Sequence, residues 1–365
     1  METQKGTLYI IKPRCQEPGR ADRLESVLNA ALAASCGESH RIQLIEDAAH
    51  LPESGLNGHI LFAVSLGVSG VNLSHYEMLK KIRLHPHLFD GCTGALIVDG
   101  AGEYYTKSVS RELVFAANMA GCAFIGRPLV EGTGTLHNFN TQAKIRGTDQ
   151  MTAYIEAAGE LLRRLLEEPC ESVHEGAPKF LALHAGNAST SNTIGLWRMI
   201  RSQLGGTVFK EISLRDGEVF DCRGCSYETC RHLGEEGKCF YGGVITRDVY
   251  PALQSCTGLV MICPNYNDAV GGNLTAFINR MTAIFNVRRF YETDLYAVIV
   301  SGYSGSDIVA QQLISGLCMN KSFRLPPRFA VMETANDPQS IYSIPGIEER
   351  AWDFARHMLR GYSTH

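Results

Sequence analysis

Residues Asp221 to Gly243 read DCRGCSYETCRHLGEEGKCFYGG and hold four of the chain's twelve cysteines. Cys222, Cys225, Cys230 and Cys239 follow the spacing C-x2-C-x4-C-x8-C. Four thiolates in one loop can bind a 4Fe–4S cube or a tetrahedral zinc ion. Zinc sites usually join two short-spaced couples, so the long last gap disfavours zinc. The remaining alternative is a loop of reduced thiols packed by His232 and Tyr241, with no metal. The twelve histidines show no H-x-x-x-H pair, so a histidine metal site is not expected.

Three further stretches carry ligand chemistry. HAGNASTSNT, from His184 to Thr193, is dense in hydroxyls and amides and has no lysine or arginine. At a helix N-terminus such a loop can receive a phosphate through free backbone N–H groups; it can equally be an ordinary N-cap. It lacks the G-K-S/T ending of a nucleotide-hydrolysing loop, and the chain has no G-x-G-x-x-G. CPNYNDAVGGN, from Cys263 to Asn273, offers the ring of Tyr266, the polar groups of Asn267 and Asp268, and two glycines. That set suits a planar heteroaromatic ligand, or a surface turn around a core tyrosine. VSGYSGSD, from Val300 to Asp307, has glycines that can bring backbone N–H groups to a ligand edge. It is not a serine-hydrolase elbow, because Ser306 stands where G-x-S-x-G needs its last glycine.

These stretches must be positioned by regular elements. Apolar runs at Phe180–Leu183, Leu259–Cys263, Tyr296–Val300 and Phe329–Met332 read as buried strands. Between two of them, GGNLTAFINRMTAIF places Leu274, Phe277, Ile278, Met281 and Phe285 on one helical stripe. Trp197 and Trp352 also lie in helical patterns and are expected in the core. Strands alternating with helices predict a parallel sheet covered on both faces, with ligands beyond the carboxyl ends of the strands.

The same rhythm occurs twice. The polar stretch EEPCESVHEGAPK separates the halves and places a boundary near Ser172, giving domains 1–171 and 172–365. TLYIIKPR matches KFLALHAG in pattern, and CTGALIVDGAGEYY from Cys92 aligns with CTGLVMICPNYNDA from Cys256. The alignment suggests duplication. The first half lacks the ligand loops: KPRCQEPGRAD replaces the hydroxyl-rich stretch, and DGAGEYYTKS has no P-x-Y step. In its polar run Gly126 to Asn140, the residues Arg127, Glu131, Thr133, His137 and Asn138 either face a substrate or form a solvated loop, and the second reading is favoured.

Bulk properties restrict the function classes. With 45% hydrophobic and 20% charged residues the chain is globular rather than disordered. A formal net charge of −4 and no basic run argue against nucleic acid. The first residues lack a secretory apolar segment, and no window approaches the roughly 18 apolar residues of a membrane span. A cytoplasmic location away from membranes is expected, with the cysteines reduced or ligating.

Lys179 to about Phe285 resembles the NADPH-dependent FMN reductase group of the flavodoxin-like fold. The group's phosphate loop G-S-P-R-x-x-S/G-N-T corresponds to AGNASTSNT, although Ala185, Gly186, Asn187 and Ala188 replace its Gly-Ser-Pro-Arg. Its P-x-Y loop, running into a helix that ends F-I/L-D/N-R, corresponds to PNYNDAVGGNLTAFINR. The resemblance implies an α/β protein of two tandem flavodoxin-like doubly wound parallel sheets, with FMN in the second. It implies that Asn187, Ser189, Ser191, Asn192 and Thr193 hold the phosphate, and that Pro264, Asn265, Tyr266, Asn267 and Asp268 flank the isoalloxazine. Ser301, Gly302, Tyr303 and Gly305 would close the far edge.

The iron–sulfur flavoproteins of the same group carry a compact four-cysteine motif at this point, C-x2-C-x2-C with a last cysteine five or so residues on. Its first pair matches Cys222 and Cys225, while both later gaps are longer here. By that resemblance a 4Fe–4S cluster would sit beside FMN. The implied activity is an NAD(P)H-dependent oxidoreductase passing hydride to a small electrophilic acceptor, with no catalytic side chain required. The alternative is an electron carrier served by a ferredoxin-like donor. The group commonly dimerises, so a homo-oligomer is expected, or a first half that acts as a built-in partner.

Overall fold

The computed structural model describes residues 6–17, 21–35, 40–170, 174 and 176–362. The chain divides into two compact units, Met1–Glu171 and Ser172–His365.

The first unit contains strands β1 (Thr7–Ile11), β2 (Arg41–Ile45), β3 (Gly58–Leu66), β4 (Cys92–Gly100) and β5 (Ala123–Gly132). Its helices are α1 (Ala21–Ser35), α2 (Leu73–Leu84), α3 (Thr106–Met119), α4 (Asn140–Arg146) and α5 (Gln150–Glu167). The five strands are parallel in the order β2-β1-β3-β4-β5. All nine residues of β3 and all nine of β4 are buried, as expected for strands covered on both faces. On one face Leu161, Leu162 and Leu165 of α5 pack with Leu24, Val27 and Leu28 of α1 over Leu61, Ala63, Ala95 and Ile97.

The second unit contains β6 (Phe180–His184), β7 (Val208–Ser213), β8 (Gly258–Tyr266), β9 (Ala269–Val270), β10 (Asp294–Ser301) and β11 (Ala330–Thr334). Its helices are α6 (Asn192–Leu204), α7 (Tyr227–Glu235), α8 (Tyr250–Ser255), α9 (Gly272–Phe285), α10 (Ser306–Leu313) and α11 (Ile347–Leu359). The sheet runs β11-β10-β8-β6-β7, with β9 a short antiparallel addition to the end of β8. Read from its first strand, this is the order of the first unit. Each unit is therefore a doubly wound α/β sheet with the flavodoxin-like strand order, as expected.

Three expectations need correction. Cys256 leads into β8, the third main strand of its sheet, whereas Cys92 opens β4, the fourth strand of its own. The Cys-Thr-Gly alignment therefore pairs strands that are not equivalent; the counterpart of β8 is β3. A short apolar run looks alike wherever it is buried, so the pattern could not tell one central strand from its neighbour. Second, Trp197 is fully buried between α6 and the sheet, but Trp352 is 45% exposed. In α11 the buried stripe is Ile347, Ala351, Phe354, Ala355 and Met358, and Trp352 lies off it. Third, Arg127 to Gly132 is the end of β5 rather than loop. Glu131 accepts from Thr106 Oγ1 at 2.8 Å, and Asn138 Nδ2 donates to the Glu131 carbonyl at 2.7 Å, so this stretch is bonded to its own unit.

Candidate functional site

The carboxyl ends of β6, β8, β10 and β11 surround a cavity of about 580 Å³. That lies within the usual range for a cofactor pocket, roughly 300–1,000 Å³. Of the fourteen residues proposed from sequence, Asn187, Ser191, Asn192, Thr193, Pro264, Asn265, Tyr266, Asn267, Asp268, Gly302 and Tyr303 line it. Ser189, Ser301 and Gly305 do not line it. Thr190, Val300 and Ser304 of the same loops line it as well, together with Ala335 and Asn336, which lie outside every stretch singled out from sequence.

The floor is the start of α6. Ser191 caps the helix by accepting from the N–H of Ile194 at 3.3 Å. Among the described residues the N–H groups of Asn192 and Thr193 have no partner, as the first positions of a helix require. The Asn187 carboxamide oxygen accepts from the N–H of Ser189 at 3.1 Å and its hydroxyl at 2.8 Å, which folds the loop back on itself. The Asn192 side chain is committed elsewhere. Its amide donates to the carbonyls of Ala335 at 3.0 Å and Asp337 at 2.8 Å, and its oxygen accepts from the N–H of Ile341. It fastens the loop after β11 to the floor and leaves only its backbone N–H for a ligand. The sequence offered no sign of this, because the partners lie more than 140 residues away.

One wall is a hairpin. Tyr266 pairs with Ala269, so Asn267 and Asp268 form a two-residue turn, with φ of 53° and 56°. Type I′ turns need positive φ at both positions, and Asn and Asp tolerate it best after glycine. Gln312 of α10 clamps the hairpin, accepting from the N–H of Val270 at 3.0 Å and donating to the Asp268 carbonyl at 2.9 Å. A single glutamine in an amphipathic helix gave no warning of this role.

Asn265 joins this wall to the next. Its amide donates to Ser301 Oγ at 3.1 Å and to the Ser304 carbonyl at 2.8 Å, while its Oδ1 is buried and unpartnered. Ser301 is itself bonded to Ser306 Oγ at 2.6 Å, so it acts through Asn265. Gly305 has φ of 86°, and a Cβ there would stand 2.1 Å from Asp268 Oδ1. Only glycine lets the two loops approach this closely. Tyr266 and Tyr303 are 59% and 81% exposed.

Beneath the floor, the Glu211 carboxylate lies 3.5 Å from His184 Nε2 and accepts from Trp197 Nε1 at 3.0 Å and Arg201 at 2.8 Å. The His184 bond, opposed by burial and aided by Trp197 and Arg201, holds its pKa at about 2. The carboxylate thereby locks β6 to β7 and α6 directly below the loop.

The features fit FMN. Free N–H groups at the helix start suit a phosphate, an unpartnered carboxamide oxygen suits an N–H on a ring edge, and exposed tyrosines suit a ring face.

The four-cysteine loop is not drawn together around a metal site in this structure. Cys222 is exposed and Cys225, Cys230 and Cys239 are half-buried, all reduced. Among the described residues no three His, Cys, Asp or Glu side chains are gathered so as to hold a metal ion. The Cys225 thiol turns to the Tyr241 hydroxyl at 3.8 Å. Burial, and then the neighbouring thiols, push the Cys230 pKa up. The expected 4Fe–4S cluster is thus unsupported by this arrangement. The loop is held by protein contacts. Fully buried Arg280 donates to the carbonyls of Phe220 at 3.3 Å and Gly242 at 2.7 Å, and Asn279 bonds Asp221 at 3.0 Å. Gly234 of α7 lies against the Ala283 carbonyl of α9, where a Cβ would come within 2.1 Å. The Asn-Arg pair that ends the recognised helix motif therefore anchors the loop's base.

Comparison with known proteins agrees with the second unit's reading. The family described as NADPH-dependent FMN reductase matches residues 178–337. No curated protein sequence matches the chain. Among solved structures, RosB with bound 8-demethyl-8-formylriboflavin-5'-phosphate is 13% identical, covering 51% of this chain and 77% of that one, at a TM-score of 0.39. An FMN-dependent NADH-azoreductase from Bacillus anthracis str. Ames Ancestor, in complex with FMN, is 11% identical and covers 50% and 100%, at 0.34. The Trp repressor binding protein from Bacillus subtilis is 18% identical and covers 48% and 96%, at 0.32. These scores are low, and the structural likenesses carry no functional argument.

Proposed function

We propose that this chain is an FMN-dependent oxidoreductase of the NADPH-dependent FMN reductase family, using the cleft of its second unit to pass electrons from a reduced nicotinamide to a small electrophile. The observation that carries the reading is the convergence, in one cleft, of the unpartnered N–H groups of Asn192 and Thr193 with the unpartnered Oδ1 of Asn265. One site is a phosphate receptor and the other a ring-edge acceptor, as a flavin mononucleotide requires.

FMN, when bound, supplies hydride acceptance and electron release; the protein's part is to bind and orient. The start of α6 and the hydroxyls of Thr190 and Ser191 would hold the phosphate. Tyr266 and the Asn267–Asp268 turn would lie along the ring, and Gly302 with Tyr303 would bound its far side. Asn265 would fix the ring in its plane, with Ser301 and Ser304 fixing Asn265. No side chain need transfer a proton to a reacting atom, because the nicotinamide hydride and solvent supply both hydrogens.

Stopped-flow mixing of FMN-loaded protein with NADH or NADPH tests the reading. Rapid bleaching of the flavin, and its return on adding a quinone, is the expected result. A flavin that binds but ignores both nucleotides would instead make the chain an electron carrier with a protein donor. No electron route is assigned to the four cysteines, and iron and sulfide analysis of anaerobically purified protein tests that directly.

A further inference from the structure

The cleft that would hold flavin carries one charged side chain. Its lining is made of amides, hydroxyls, tyrosines and small residues, and Asp268 is the exception. Neither lysine nor arginine lines the cavity, and among the described residues no cation pairs with Asp268. The carboxylate is also fixed in place. Its backbone is locked in the hairpin turn at φ 56°, its Oδ1 accepts from Asn265 Nδ2 at 3.3 Å, and it lies against Gly305. The whole chain adds a net charge of −4. Tyr266 and Tyr303 line the same cleft and are exposed, so this unneutralised carboxylate stands with them at its open side.

We infer that Asp268 is a specificity-determining residue that makes the cleft select planar aromatic acceptors bearing no negative charge beside the ring. The inference rests on the flavin reading of the same cleft. An acceptor stacked on the flavin would be flanked by Tyr266 and Tyr303 whatever its charge, and Asp268 would reject a sulfonate or carboxylate held several ångströms away. For a quinone the transfer balances as NAD(P)H plus quinone plus one proton giving NAD(P)+ plus hydroquinone. Two like charges at that range in a half-open cleft correspond to about tenfold discrimination.

The test compares 1,4-naphthoquinone with its 2-sulfonate, using FMN-loaded protein, NADH and low salt. Asp268→Asn keeps a residue suited to the left-handed turn and keeps the oxygen that Asn265 bonds. It should raise the sulfonate-to-neutral ratio of kcat/KM about tenfold, the intrinsic reactivities of the two quinones cancelling between variants. A second readout needs no turnover. Calorimetry on the oxidised, FMN-loaded protein should show naphthalene-2-sulfonate binding tighter to the variant by about tenfold, with naphthalene-2-carboxamide changing less. In the unaltered protein, sulfonate binding should strengthen as salt rises toward about 0.5 M, where screening shortens to a few ångströms. Ratios that do not move, and sulfonate binding indifferent to salt, overturn the inference while leaving the flavin reading intact. A chain that takes up no FMN, or whose flavin neither nucleotide reduces, overturns both.

Discussion

The two units share a strand order but treat the carboxyl edge of the sheet in opposite ways. In the second unit the loop after β6 turns into α6 and leaves its first N–H groups open. In the first, the loop after β1 sends the Glu17 carboxylate across to the loop after β3. There it accepts from the N–H of Val68 at 2.6 Å and from Ser69 Oγ at 2.7 Å. A Cβ on Gly67 would lie 1.9 Å from the Glu17 carboxyl carbon, so a side chain there would push the carboxylate aside. A Cβ on Gly70 would lie 2.2 Å from the Tyr105 ring, and Arg23 binds Asp99 while also donating to the carbonyls of Gly100, Thr133 and Gly134. Among the described residues, the second unit leaves N–H groups at the start of α6 unpartnered, whereas in the first unit Glu17 takes up donors of the loop after β3. A shared fold therefore does not carry a shared site.

The largest expected effect comes from pulling apart the two loops that make the open cleft. Gly305→Val would combine a left-handed backbone with a Cβ driven into Asp268. We expect FMN affinity to fall at least about a hundredfold and stability by about 1–3 kcal/mol. Flavin fluorescence titration and urea unfolding would measure the two losses. Wild-type FMN affinity in that variant would contradict the packed wall described here.

Next is Asn192→Ala, which would strip the Ala335 and Asp337 carbonyls of their donor. Stability should fall by about 1–3 kcal/mol, with weaker FMN binding as the loop after β11 loosens. If riboflavin binding fell as much as FMN binding, the effect would be assigned to that loop; a loss confined to FMN would point to the helix start.

A pH series probes the support beneath the floor. The folded Glu211 carboxyl is depressed from 4.5 to about 2, so its stabilisation is present above about 4.5 and is lost as pH falls toward about 2. Glu211→Gln should flatten that part of the stability–pH curve. Denaturant midpoints between those pH values provide the measurement, and parallel curves would remove Glu211 from the account.

The smallest effect is expected in the closed unit. Glu17→Ala should lower stability by no more than about 1 kcal/mol and leave FMN stoichiometry at one per chain. A second equivalent of bound flavin would show that the carboxylate alone keeps the first unit shut.

Much of the fold could be read from pattern. The buried runs of the second unit recur in β6, β8 and β10, each extended by one to four residues, because a strand covered on both faces is apolar throughout, and edge strand β11 begins one residue later than its run. Edge strand β7 escaped notice, since its sequence VFKEIS keeps a half-exposed polar face. The site was legible as residue types at loop positions and much less as roles. Hydroxyls, amides and an aromatic ring beyond strand ends were visible, and eleven of the proposed residues reach the cavity. That Asn192 binds loop carbonyls, that Ser301 holds Asn265, and that Gln312 clamps the turn all depend on partners far away in sequence.

The amino-acid order by itself determined the strand–helix alternation, the apolar faces and the chemistry carried by each loop, because these follow from local periodicity and side-chain type. Only the tertiary structure decided which strands are true counterparts, which polar groups remain open to a ligand, and whether four nearby cysteines converge. Those outcomes depend on which groups brought together by the fold satisfy each other's hydrogen bonds. Glu17 closes one edge and Asn192 builds the other through the same physics, with partners that no local window contains.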